Sequence, residues 1–176
     1  IQSSASDGKY SPGELVVRAA RLGLKTIALT DHDTVSGVPE ALGRGEDYGI
    51  EVIPGIEISA NENHHPVHIL GFGIDHKNLG LLSSLDQAQR ERVERAKEIV
   101  KRLQQAGFQI TYEDVLRYAK GSSVGRPHIA KAVLDNPENK KILGDINDVG
   151  KFIKSFLVLG KPTYVERDNL SALAAI

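Results

Sequence analysis

Thr26-Ile27-Ala28-Leu29-Thr30-Asp31-His32-Asp33-Thr34 is the stretch whose reading decides the fold. Residues 26–30 are apolar or β-favouring and predict a buried strand, which then breaks into polar residues. His32 stands between two carboxylates just where that strand stops. In α/β proteins with parallel strands, ligands and catalysis collect at the carboxyl ends of strands. A histidine among aspartates at such a place is a candidate metal ligand or acid–base group. The alternative is a turn in which Asp and Thr cap the next helix and His32 merely sits nearby.

The surroundings place that strand in an α/β chain. Upstream, Ser11, Pro12 and Glu14 give an N-cap, a proline suited to the first helical turn and a capping box. Leu15, Val16, Ala19, Ala20 and Leu22 supply an apolar helix face, and Gly23 ends it. A helix followed at once by a strand is the rhythm of βαβ units. Downstream, Ser36 and Glu40 open a second helix reaching about Asp47 and closing near Gly49. Strands are expected at residues 50–53 and 56–59, separated by Pro54-Gly55. A polar turn from Asn61 to Pro66 and a strand at residues 67–72 follow.

From Lys77 the character changes. Residues 82–106 predict a long charged helix with Leu85, Ala88, Val93, Ala96, Ile99, Val100 and Leu103 on its apolar side and Gly107 as its cap. Thr111 with Asp114 starts another helix, residues 127–134 read as a third and 148–159 as a fourth. Tyr164-Val165 is expected to return as a short strand. The chain therefore divides into an α/β part (1–76), a helical insertion (77–160) and a return to the α/β part (161–176).

Composition narrows the function classes. The chain has 176 residues and a net charge of -1, so no global field recruits nucleic acid or membrane, and phosphate recognition must be local. Cysteine is absent, which removes disulfides, a thiolate nucleophile and Cys-type zinc sites. No apolar run approaches membrane-spanning length and nothing resembles a signal peptide, so a cytoplasmic protein without a membrane partner is expected. Methionine is also absent, and Leu170-Ser171-Ala172-Leu173-Ala174-Ala175-Ile176 continues a helical pattern with no stop signal. The sequence reads as a fragment.

Two further groups of residues bear on chemistry. Glu57 lies between Ile56 and Ile58, and His68 between Val67 and Ile69, so strand alternation turns each away from its apolar neighbours. An edge strand with both side chains in solvent is one outcome; convergence in one interior, paired or on a metal, is the other. Imidazole and carboxylate without thiolate suit zinc, manganese or iron. Asp7 sits in an ordinary Ser-Asp-Gly turn sequence. His64, His65 and His76 receive no role. The second group is Gly121-Ser122-Ser123-Val124-Gly125-Arg126-Pro127-His128, a Gly/Ser loop feeding a helix start. Free N–H groups, hydroxyls and the Arg126 guanidinium make it a candidate phosphate site.

Taken together, Ser6-Asp7-Gly8, residues 27–34, 53–58 and 67–71, with Gly125-Arg126-Pro127-His128 and Gly160-Lys161-Pro162-Thr163-Tyr164-Val165, resemble the polymerase-and-histidinol-phosphatase (PHP) family. The resemblance is to its small stand-alone phosphoesterases of nucleotides or short oligonucleotides. It implies a distorted seven-stranded α/β barrel with a helical insertion, holding two or three divalent metals. It implies that Asp7, His32, Glu57 and His68 are metal ligands, with Glu57 bridging. Asp31 and Asp33 then support the ligands or position substrate, and Ser122, Ser123, Arg126 and His128 face substrate phosphate. Gln2 stands where the family has the second histidine of its His-x-His pair, and a neutral amide is expected to weaken metal occupancy there. A histidinol-phosphate-type phosphatase is the alternative enzyme. A catalytically silent domain that binds nucleotides or partners is the alternative class.

Overall fold

The computed structural model describes residues 1–62, 65–119 and 123–166. Ser11 accepts from the Glu14 amide while Glu14 returns a bond to the Ser11 amide, so α1 (Pro12–Arg21) begins on a complete capping box. β1 (Thr26–Leu29) follows, then α2 (Val38–Tyr48), which ends where Gly49 takes the left-handed conformation at φ 64°. β2 (Glu51–Glu62) and β3 (His65–Phe72) complete a three-stranded sheet in the order β1-β2-β3.

The first half of β2 pairs parallel with β1, matching Thr26 to Glu51 and Leu29 to Pro54. Its second half pairs antiparallel with β3, matching Gly55 to Phe72 and Ser59 to His68. Pro54-Gly55 was expected to separate two strands, yet β2 runs through it. Pro54 lacks an amide, but its carbonyl still accepts from Gly73 at 2.8 Å, so the ladder survives. Gly55 sits where the partner changes. A Cβ there would lie 2.9 Å from the carbonyl oxygens of both Leu29 and Gly71. Gly55→Ala is therefore expected to lower stability by about 1–3 kcal/mol, read from the denaturation midpoint. No loss would mean that the strands part freely. Likewise the expected turn from Asn61 to Pro66 is partly strand, because Asn61 pairs with Pro66 and Glu62 with His65.

α1 and α2 cover one face of this sheet. Val16 and Ala19 from α1, Val38 and Ala41 from α2, and Ile27, Leu29, Val52 and Ile56 from the strands form a buried core. On the opposite face of β3, Leu70 is 51% and Phe72 58% exposed.

α3 (Leu79–Gln105) is the long charged helix, and the two compact units of the chain divide within it, after Gln89. The first unit is Ile1–Gln89, with Ser123. The second comprises residues 90–119 and 124–166, with α4 (Tyr112–Tyr118), α5 (Arg126–Asp135), α6 (Lys140–Leu143) and α7 (Val149–Phe156). Its own core gathers Ile99, Leu103, Phe108, Val115, Ile129, Val133, Phe152 and Leu157. Phe108 meets Phe152 edge-on at 5.7 Å between ring centroids. Tyr164-Val165 forms no strand. Its carbonyls instead accept from Arg102 and Arg95 of α3, a side-chain tether that needs no neighbouring strand. The helical pattern at residues 170–176 lies outside the described residues. Among the described residues, no helix is long and apolar enough to cross a membrane.

Candidate metal centre

The chain leaving β1 keeps step with β2 for one more residue pair. The Glu57 amide donates to the Asp31 carbonyl at 3.0 Å, and the Asp33 amide donates to the Glu57 carbonyl at 3.0 Å. His32 is thereby bridged in parallel to Glu57. Antiparallel pairing of β2 with β3 sets His68 opposite Ser59, on the same sheet face as Glu57 two residues away. Three side chains from three successive segments therefore meet. His68 Nδ1 lies 2.6 Å from Glu57 Oε1, and His32 Nδ1 lies 3.8 Å from the same oxygen. The two imidazoles meet edge to face at 4.8 Å. His32 and Glu57 are largely buried, whereas the His68 side chain is 41% exposed and forms the open side of the cluster.

A bed of hydrogen bonds fixes these ligands. The Asp31 carboxylate, 2% exposed, accepts from the Ser3 amide at 2.6 Å, the Ser3 hydroxyl at 2.7 Å and the Ser6 hydroxyl at 2.7 Å. It clasps the N-terminal loop to the end of β1. Asp33 adopts φ 50°, in the left-handed region that aspartate tolerates better than most residues. Its carboxylate accepts from the Ser59 amide at 2.7 Å. Asp31 and Asp33 belong to the scaffold, and a catalytic role in contact with substrate does not suit carboxylates so deeply buried and so engaged. The Ser123 hydroxyl, expected to face phosphate, instead donates to the His32 carbonyl at 2.9 Å, and is 1% exposed. Gln89, which carried no signal in the sequence, donates to the Asp33 carbonyl at 2.7 Å.

Gln2 enters the cluster by another route. The Ile1 carbonyl accepts from the Thr30 amide at 2.8 Å and the Ser3 amide binds Asp31, so the backbone is held on both sides of Gln2. Its amide nitrogen donates to Glu57 Oε2 at 2.7 Å. Gly8 packs against that segment so closely that a Cβ would stand 2.3 Å from the Gln2 carbonyl oxygen. Asp7 is half-buried in the same loop and lies outside the compact trio.

The second unit holds the remaining candidates. His128 is buried, and its Nδ1 accepts from the Gly125 amide at 3.1 Å, a structural task at the start of α5. Arg126 donates to the Leu157 carbonyl at 3.2 Å, and Arg92 to the Val124 carbonyl at 3.2 Å. Burial, reinforced by the nearby charges of Arg126 and Arg92, lowers Arg95 to about 10. Arg92 and Arg95 escaped the sequence reading, because only the packing of α3 beside the start of α5 collects the three guanidiniums. Ser122 lies outside the described residues.

Two imidazoles and a carboxylate, with ligand atoms all within 4.8 Å of one another, fit a divalent ion. Two ligand atoms about 2.1 Å from a tetrahedral ion stand about 3.4 Å apart. The observed 2.6 and 3.8 Å bracket that separation.

The comparisons agree with this chemistry. A 5'-3' exoribonuclease of Haemophilus influenzae is 35% identical over 166 residues, which are 94% of this chain and 58% of that protein. A 3',5'-nucleoside bisphosphate phosphatase of Chromobacterium violaceum is 32% identical over 177 residues, covering 100% of this chain and 60% of that protein. Among solved structures, an amidohydrolase from Chromobacterium violaceum, with bound sulfate and no metal, superposes with a TM-score of 0.88 at 31% identity. That match covers 99% of this chain and 60% of the other. A Bifidobacterium adolescentis protein assigned as a metal-dependent phosphoesterase superposes at 0.86, also at 31% identity, over 99% of this chain and 59% of its own. The chain thus spans about 60% of the length of each of these four relatives. The PHP domain matches residues 1–158, and with that agreement in fold and sequence the chain belongs to the PHP family.

Proposed function

We propose that this chain carries part of a metal-dependent phosphoesterase acting on nucleotides or short oligonucleotides. The observation that carries the proposal is the convergence of His32, Glu57 and His68 at the carboxyl end of β1. A 3',5'-nucleoside bisphosphate phosphatase and 5'-3' exoribonucleases among the relatives support the substrate class. The three strands are the start of a seven-stranded barrel and residues 77–160 its insertion.

In this mechanism His32 and Glu57 would hold a divalent ion from the buried side and His68 from the solvent side, with Asp7 as a further ligand. When bound, a divalent ion supplies an acidified water and positive charge opposite the phosphoryl oxygens. Asp31, Asp33, Ser123 and Gln89 keep the ligand-bearing backbone in place, which preserves that alignment through turnover. Arg126, in the second unit, offers a guanidinium for phosphate.

The test uses the intact protein, stripped with a chelator and reloaded with manganese or zinc. Phosphate release from a nucleoside 3',5'-bisphosphate, or nucleotide release from a short RNA, should vanish and return. Full activity in chelator, or no release from either substrate after reloading, would contradict the proposal. A second expectation concerns Arg126. Arg126→Ala should raise KM for the bisphosphate by about tenfold or more and leave an aryl phosphate nearly unaffected. Equal losses on both substrates would assign Arg126 to the fold through its bond to Leu157.

A further inference from the structure

We infer that Gln2 reserves one oxygen of Glu57, so that Glu57 serves a single metal ion in this protein and does not bridge two. The inference rests on the metal-dependent reading above. Its observation is local: Glu57 Oε1 faces His68 Nδ1 at 2.6 Å and His32 Nδ1 at 3.8 Å, while Oε2 accepts from Gln2 Nε2 at 2.7 Å.

The direction of that last bond follows from chemistry. An amide can turn either its NH2 or its oxygen toward a neighbour. At 2.7 Å from a carboxylate oxygen only the NH2 is tolerated, since two oxygens without a proton between them repel. Oε2 is therefore engaged by a donor that gives up no proton and carries no charge, in a bond strengthened by the carboxylate's own charge. A cation approaching Oε2 must displace that NH2 of Gln2. Its backbone is fixed by the Ile1 carbonyl to Thr30, by the Ser3 amide to Asp31, and by Gly8 packed on its carbonyl. Oε1, by contrast, already sits between the imidazoles. The set that remains, two imidazoles and one carboxylate oxygen, is a three-ligand site with open positions for a further ligand, water and substrate.

Two roles for Gln2 are thereby separable. As a blocker of Oε2, its removal frees an oxygen. As a ligand through its own amide oxygen, its removal deletes a donor. Gln2→Ala and Gln2→His in the intact protein, titrated with manganese and with zinc by calorimetry and checked by elemental analysis, tell these apart without recourse to activity. The expected result is one more metal equivalent per chain for Q2H than for the natural sequence. Q2A should bind that extra ion with an affinity at least about tenfold above the limit set by the unchanged protein. Loss of an equivalent in Q2A would make Gln2 a ligand and overturn the inference. Unchanged stoichiometry and affinity in both variants would overturn it as well. Either result leaves the metal-dependent reading standing. Failure of all three proteins to bind either ion would overturn that reading too.

Discussion

Glu57→Gln is expected to lower phosphoester turnover by roughly two to three orders of magnitude while moving stability by less than about 1 kcal/mol. The substitution keeps the shape of the side chain and the backbone pairing with Asp31 and Asp33. It removes the negative charge to which two imidazoles and the Gln2 amide converge. An ion held by two neutral imidazoles and an amide oxygen is bound more weakly, so metal content should fall alongside turnover. Steady-state kinetics, elemental analysis and a denaturation curve on the same preparation decide the matter. Near-normal turnover with normal metal content would reduce Glu57 to an oddly placed strand residue.

The second large effect is on stability. Asp31→Ala should cost about 3 kcal/mol or more, because it strands the Ser3 amide and the Ser3 and Ser6 hydroxyls in the interior. Ser3 is 0% and Ser6 3% exposed, so water cannot readily replace the lost acceptor. The damage should also reach the metal centre. The loop that Asp31 clasps carries Gln2 and Asp7, and the same residue's carbonyl receives the Glu57 amide. Denaturation midpoints give the first effect and metal affinity the second. A loss below about 1 kcal/mol would show that the loop is held by other means.

What was legible in the sequence is what depends on neighbours along the chain. Ser11 with Glu14 and Thr111 with Asp114 announce helix starts within four residues, and both capping boxes are present. Alternation turned Glu57 and His68 away from their apolar neighbours, and the polar break after Thr30 marked His32 as a strand-end residue. What escaped depends on distant partners. The Asp31 clasp joins residues 28 apart in sequence, and Ser123 reaches His32 across 91. Pro54-Gly55 looked like a boundary because a strand interior normally excludes proline. Only the change of partner, from parallel β1 to antiparallel β3, explains why a small residue without a Cβ belongs there. The arginines of α3 carried no signal of their own in the sequence, because their acceptors and neighbours come from the start of α5 and the Tyr164-Val165 segment.

The most direct test of the metal centre is anomalous scattering from crystals of the intact protein grown with manganese or zinc, recorded at the absorption edge of that ion. A peak within bonding distance of His32, Glu57 Oε1 and His68 is the expected result. Full occupancy at some other place, with Glu57 and His68 still hydrogen-bonded to each other, would contradict it.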